Sequence, residues 1–206
     1  MAMPVPAAHD FDPDLDRPRD AKTRRAAEAF GEFLRALGVD RSDPHLEGTA
    51  LRVARMYGEL FAGRVEGAEP ELRTFRNAEG YSEMVALTDI PFHSTCAHHF
   101  LPFFGTAHVA YLPGARVVGL SKLARVVDFY ARRPQVQERM TEQVADLVQR
   151  RLAPAGVMVV VQARHLCMEA RGVAKAGAMT TTTAVRGAFT DDRRRQELLG
   201  LLARPR

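Results

Sequence analysis

Residues 84–114 read MVALTDIPFHSTCAHHFLPFFGTAHVAYLPG, and this stretch constrains the architecture more than any other part of the chain. Its two apolar halves, residues 84–92 and 103–112, are rich in aliphatic and aromatic side chains. They are bounded by Pro91, by Pro102 and by a Pro-Gly pair at the end of the stretch. This pattern predicts two strands joined by a turn.

Two helical segments and two further strands follow in the sequence. The first helix is predicted to begin at Ser121 as its N-cap, and the second follows Pro134. The β-rich residues 156–166 and 179–189 then predict two more strands. Two hairpins flanking a helix pair indicate an α+β fold with an antiparallel sheet. Because four strands are too few to close on themselves, the sheet edges need to be covered or paired, and pairing between copies of the chain is one solution.

The sequence divides into three segments. Residues 1–18 mix proline with aspartate and show no apolar period, which predicts a flexible tail. Residues 19–80 are predicted to form an N-terminal helical segment, with helices from an Asp20 N-cap and over residues 46–61. Residues 81–206 carry the predicted sheet and a charged C-terminal helix.

The composition is typical of a globular protein, with 206 residues, 46% hydrophobic and 26% charged. The formal net charge of +4 comes from arginine, since lysine occurs only three times. The longest aliphatic run, residues 157–161, is too short for a transmembrane helix, and the first twenty residues lack the apolar core of a signal peptide. Without an export signal, Cys96 and Cys167 indicate a reducing compartment, and we expect the cytoplasm.

Both cysteines lie beside histidines. Cys96 opens the predicted turn that contains His98 and His99, and Cys167 follows His165 at the end of another strand. Cys96, His99 and Cys167 would supply two thiolates and an imidazole to zinc and leave its fourth position open, which is the catalytic pattern. The alternative is that buried cysteines act as small hydrophobic residues beside structural histidines.

The starts of the two predicted helices also carry polar side chains. Ser121, Lys122 and Arg125 place a hydroxyl and two cations in the first turns of one helix, an arrangement that suits an anion. The alternative there is an ordinary serine-capped surface helix. Gln137 and Glu138 open the next helix, and a carboxylate can accept two N–H bonds from a guanine edge. In isolation these two residues could equally be a polar helix surface.

Five motifs, taken together and in order, resemble those of the GTP cyclohydrolase I family, and the resemblance runs from about Asp43 to the C-terminal helix. The motifs are FHSTCAHH at 92–99, LPFFG at 101–105, GLSKLAR at 119–125, RRPQVQER at 132–139, and HLCM at 165–168 followed by RGV at 171–173. A helix that resembles the family's phosphate-binding helix covers residues 49–57.

The resemblance implies a role for each matching residue. It implies that Cys96, His99 and Cys167 bind Zn²⁺, that His98 and His165 are acid-base residues, and that Ser121 lies near the ribose. It implies that Gln137 and Glu138 anchor the guanine edge, and that Lys122, Arg125, Arg171, Arg52 and Arg55 hold the triphosphate.

The activity that the resemblance implies is opening of the guanine imidazole ring of GTP, with release of formate and formation of 7,8-dihydroneopterin triphosphate. The implied architecture is the tunnelling fold, with residues 81–206 as the catalytic domain and sheets that pair into a toroidal homodecamer. Two alternatives remain, a related purine ring-opening enzyme of a specialised pathway and a non-catalytic homologue that binds GTP and zinc. We expect no membrane or nucleic-acid partner, because a zinc finger would use four closely spaced ligands.

Ala97 departs from the family signature, which reads Cys-Glu-His-His. We expect slow turnover of GTP, and we expect Ala97→Glu to raise kcat by about 10- to 100-fold with little change in GTP affinity, the typical cost of losing a group that supports a metal ligand. Measurements of kcat and of the Kd for GTP on both proteins check this. Fast turnover by the unmodified chain, unimproved by Ala97→Glu, would contradict it.

Overall fold

The computed structural model describes residues 20–40, 42–64 and 69–203. The tail predicted at residues 1–18 lies outside them. The chain divides into two compact units, one ending at Glu59 and the other beginning at Leu60. None of the described helices has the length and apolar character needed to cross a membrane.

Among its described residues, the first unit contains two α-helices. α1 (Ala21–Ala36) begins as predicted, because the Asp20 side chain accepts a hydrogen bond from the Thr23 N–H at 2.7 Å. α2 (Thr49–Leu60) begins later than predicted. A short 3-10 turn precedes it, and Gly48 then adopts a positive φ of 69° that interrupts the helical path.

The second unit contains a five-stranded sheet, a two-stranded ribbon and four helices among its described residues. Its elements are β1 (Thr74–Arg76), β2 (Val85–Cys96), β3 (Pro102–Leu112), β4 (Arg116–Val118), α3 (Leu120–Ala131), β5 (Pro134–Gln135), α4 (Gln137–Leu152), β6 (Gly156–His165), α5 (Leu166–Glu169), β7 (Met179–Gly187) and α6 (Asp192–Leu202). The sheet order is β5-β2-β3-β6-β7, and β1 pairs with β4.

The predicted α+β class, the two hairpins and the helix pair between them are confirmed. The sheet is antiparallel except for the short β5, which runs parallel to β2. β5 and the β1–β4 ribbon were not predicted from the sequence, since segments of two or three residues show no period.

The sheet carries a different core on each face. Val109 and Tyr111 of β3 belong to the larger cluster, which includes buried residues of α3 and α4. Leu112 faces the opposite side, where Phe189 and, from α6, Leu198 belong to a smaller cluster. The larger cluster therefore holds the helix pair against the strands that end at the candidate site.

The strand register brings distant residues to one end of the sheet. Ser94 of β2 lies opposite Phe103 of β3, and Phe103 lies opposite His165 of β6. The Ser94 hydroxyl donates to the carbonyl of Ala131 at the end of α3, at 2.7 Å. The turn after Cys96 and the turn after His165 are therefore neighbours.

Gly105 is the position where this register is most sensitive to side-chain size. A Cβ atom there would lie 1.9 Å from the Gln162 carbonyl oxygen across the β3–β6 pairing. We expect Gly105→Ala to lower the free energy of unfolding by about 3 kcal/mol, because the backbones must separate. Urea denaturation measures this. Gly200→Ala in α6, where a Cβ would meet nothing within 4 Å, is the control and should not lower the free energy of unfolding. Equal stabilities for the two variants would contradict the prediction.

Candidate functional site

Three side chains that can bind a metal converge at this end of the sheet. Cys96 ends β2, His99 lies in the turn that follows it, and Cys167 lies in α5. Their donor atoms all lie within 4.8 Å of one another. Cys96 Sγ is 3.9 Å from His99 Nδ1. Two sulfur donors and one imidazole nitrogen form a set suited to a zinc-like metal ion.

The burial of these ligands is graded. Cys96 is buried, Cys167 is half-buried and His99 is exposed. Burial raises the pKa of the Cys167 thiol, and the neighbouring Cys96 thiol raises it further. A bound cation would offset both effects on Cys167, because a metal binds the thiolate form.

Two further histidines flank the three ligands. His98 Nδ1 lies 3.9 Å from Cys96 Sγ, on an exposed residue. The His165 ring stacks on Phe103, with 4.7 Å between the ring centroids and 2° between the planes. Burial lowers the pKa of His165, and the nearby Glu138 carboxylate acts in the opposite direction.

Gln137 holds the His165 ring from within the protein. Its side-chain oxygen lies 2.7 Å from His165 Nε2. Its amide nitrogen donates to the carbonyls of Val161 and Thr180 and to the Thr182 hydroxyl, each at 3.1 Å. The two carbonyl acceptors fix the orientation of the amide, so its oxygen must face the imidazole. His165 Nε2 therefore carries a proton in this contact.

This use of Gln137 was missed at the sequence level, where it was assigned to the guanine edge. The side chain is 1% exposed, and its amide donors are already committed to the protein. Glu138, the next residue, is exposed. The supporting residues Thr180 and Thr182 belong to a threonine run that indicated only a strand. Nothing in their spacing identifies their partner on α4.

The predicted anion-binding residues lie at the start of α3. The prediction that Ser121 is the N-cap is wrong, because the helix begins at Leu120, two residues earlier than predicted, and Gly119 occupies the cap position without a side-chain bond. Lys122 and Arg125 follow within the first turns. The other end of α3, at Ala131, contacts Ser94 near the metal ligands. At about 1.5 Å per residue, Lys122 and Ala131 are separated by roughly 13 Å along the helix axis.

The remaining predicted phosphate ligands lie elsewhere. Arg171 is exposed in the loop after α5, and its charge favours the thiolate form of Cys167 against the effect of burial. Arg52 and Arg55 lie on α2 in the first unit, where the Arg52 guanidinium donates to the Thr49 hydroxyl at 2.9 Å. Their assignment to phosphate stays a prediction.

An α+β protein whose strand ends bring two cysteines and three histidines together has a candidate site whose side chains are typical of metalloenzymes. Residues 26–203 match the GTP cyclohydrolase I family, and the chain belongs to that family. The ββααββ order is that of its tunnelling fold.

Several relatives are similar over nearly their full length. GTP cyclohydrolase 1 of Mycolicibacterium vanbaalenii is 54% identical over 183 residues, which cover 87% of this chain and 90% of that protein. GTP cyclohydrolase 1 of Mycolicibacterium gilvum is 50% identical over 200 residues, with 96% and 98% covered. Among solved structures, the apo archaeosine synthase QueF-Like superposes with a TM-score of 0.41 at 20% identity, covering 51% of this chain and 94% of that one.

Of the two neighbouring histidines, His99 is the one whose ring nitrogen lies within 4.8 Å of both cysteine sulfur atoms in the candidate metal set. We expect Cys167→Ser and His99→Asn to lose most bound zinc while the protein stays folded, because the large apolar cluster between the sheet and the helix pair stabilises the fold without a metal. His98→Asn is the matched control and should retain zinc. Metal content by mass spectrometry and far-UV circular dichroism check this. Full zinc retention in Cys167→Ser would remove that residue from the ligand set.

Proposed function

We propose that this chain is a zinc-dependent GTP cyclohydrolase I, which opens the imidazole ring of guanine in GTP, releases formate and forms 7,8-dihydroneopterin triphosphate. The observation that carries the proposal is the convergence of the Cys96, His99 and Cys167 donor atoms within 4.8 Å of one another. Three protein ligands leave one zinc position for water or substrate, as in catalytic zinc sites.

The chemistry divides between the metal and the histidines. Zinc, when bound, would lower the pKa of a coordinated water towards about 7 and so supply hydroxide at neutral pH. His98 and His165 would move protons to and from the guanine ring as it opens. Because Gln137 accepts the Nε2 proton of His165 in a hydrogen bond, Nδ1 is the nitrogen of His165 that can exchange a proton with substrate.

Recognition of the guanine edge falls to Glu138. Its carboxylate is exposed at the start of α4 and lies close enough to His165 to affect the pKa of that imidazole. A carboxylate there can accept two N–H groups from the base while the histidine acts on the ring. Gln137, its neighbour, would contribute by orienting His165.

The triphosphate requires cations from more than one place. Arg171 belongs to the loop beside Cys167, whereas Ser121, Lys122 and Arg125 lie at the far end of α3. We infer that copies of the chain assemble, as the toroidal decamer of the family resemblance implies, and that α3 of a neighbouring copy supplies the second group. The β7 edge supports this inference, since among the described strands β7 pairs only with β6. The assignment of Arg52 and Arg55 to phosphate rests on the family resemblance.

We infer a reducing compartment, with the cytoplasm as the expected one. Cys96 and Cys167 are free cysteines whose sulfur atoms lie within 4.8 Å of each other. Two such thiols remain available to a metal only where oxidation to a disulfide is disfavoured.

The proposal is tested by incubating the zinc-loaded protein with GTP, with formate quantified and the nucleotide product identified by mass spectrometry. We expect formate and 7,8-dihydroneopterin triphosphate in equal amounts. Bound GTP without formate would favour a non-catalytic homologue, and a ring-opened product that does not reclose would favour a specialised enzyme.

Measuring the dissociation constants for GTP and for guanosine separates phosphate binding from base binding. Lys122→Ala or Arg171→Ala should weaken the binding of GTP by about tenfold or more, because a charge-assisted bond to phosphate is lost. Guanosine, which carries no phosphate, is the control ligand and should be unaffected. Equal losses for GTP and guanosine would contradict these two assignments.

A further inference from the structure

An ion pair brackets the segment that carries His165 and Cys167. Arg164, the penultimate residue of β6, donates from Nε to Glu169 Oε1 at 2.9 Å and from its terminal nitrogen to Oε2 at 2.5 Å. This two-pronged geometry is the strong form of an arginine–carboxylate pair. The Glu169 side chain is 8% exposed. The pair therefore closes residues 164–169 into a loop that contains both functional residues.

The segment needs such a tether because α5 cannot hold itself in place. It has four residues, and a single helical turn is unstable in isolation. The residues after it, 170–178, are all exposed. The Lys175 N–H donates to the Met168 carbonyl at 3.0 Å, which ties this loop to α5. The Arg164–Glu169 pair joins α5 to the sheet through side chains.

Arg164 is itself held by neighbouring strands. It lies opposite Phe104, and its guanidinium carbon is 5.9 Å from the centre of that ring. Phe104 in turn stacks on His93 of β2, with 5.7 Å between ring centroids. The guanidinium therefore projects from a row of side chains that crosses β2, β3 and β6, and this row limits its movement.

The same tether acts on the loop that carries Arg171, because that loop is hydrogen-bonded to α5 at Met168, the residue before Glu169.

We propose that Glu169 and Arg164 are positioning residues that hold Cys167 at ligand distance from Cys96 and His99 and hold the Arg171 loop in place. This inference rests on the proposed function and deepens it, by naming side chains outside the ligand set that determine metal affinity. Loss of groups that orient metal ligands typically weakens metal binding about 10- to 100-fold. Without the pair, we expect zinc affinity to fall about tenfold and, at saturating zinc, KM for GTP to rise more than kcat falls.

The test is a double-mutant cycle on zinc affinity, measured by competition with a chromogenic chelator. Glu169→Gln and Arg164→Gln should each lower the affinity for zinc about tenfold. The double variant should bind zinc as tightly as either single variant, because the two residues act as a unit. Arg186→Gln is the matched control. It removes an arginine on β7 that pairs with Glu142 and Asp146 and lies opposite Val157, at the other end of the sheet. This control should leave zinc affinity unchanged.

The outcomes separate this inference from the proposed function. Three results would each overturn the positioning role: unchanged zinc affinity in Glu169→Gln, a loss in the double variant equal to the product of the two single losses, or an equal loss in Arg186→Gln. Zinc binding by the unmodified chain would still support the metal site in each case. An unmodified chain that does not bind zinc would overturn the proposed function itself.

Discussion

The antiparallel register between β3 and β6 is the constraint on which the candidate site depends. It sets Phe103 opposite His165, and a shift by one residue would turn His165 to the other face of the sheet, away from α4. The same register brings Gly105 so close to the Gln162 carbonyl that a Cβ would overlap it. The site is therefore built on backbone pairing between strands that are distant in sequence.

The buried side-chain amide of Gln137 then orients the His165 ring within this register. Burying an amide is unfavourable unless its donors and acceptor are all paired. Gln137 meets this requirement with two carbonyls, the Thr182 hydroxyl and His165, and Thr182 is held in turn by Thr141 at 2.7 Å. The histidine is thus oriented by the interior before any substrate arrives. Adjacent helix positions point in different directions, which leaves Glu138 exposed to a ligand.

The metal ligands combine a rigid and a weakly supported part. Cys96 is at the end of a long, well-paired strand, whereas Cys167 lies in a one-turn helix followed by an exposed loop. Our proposal is that metal affinity depends on contacts outside the ligand set, such as the Arg164–Glu169 pair. Ala97 lies between these parts, and its N–H donates to the Gln135 carbonyl at 2.9 Å. The backbone of the turn thus stays anchored to β5 without the carboxylate that the family signature has there.

Local patterns were sufficient to predict the α+β class, the two hairpins and the helix pair, because strand periodicity and turn residues are properties of short segments. Donor chemistry also named Cys96, His99 and Cys167, but their convergence depends on which strand ends are neighbours, and the β3–β6 pairing decides this. The task of Gln137, the missing serine cap on α3 and the Arg164–Glu169 pair could not be predicted in this way. Whether an amide faces a ligand or the interior depends on which carbonyls lie opposite it, and for Gln137 these come from β6 and β7. Such contacts between distant segments exist only once the strands have paired and the helices have packed.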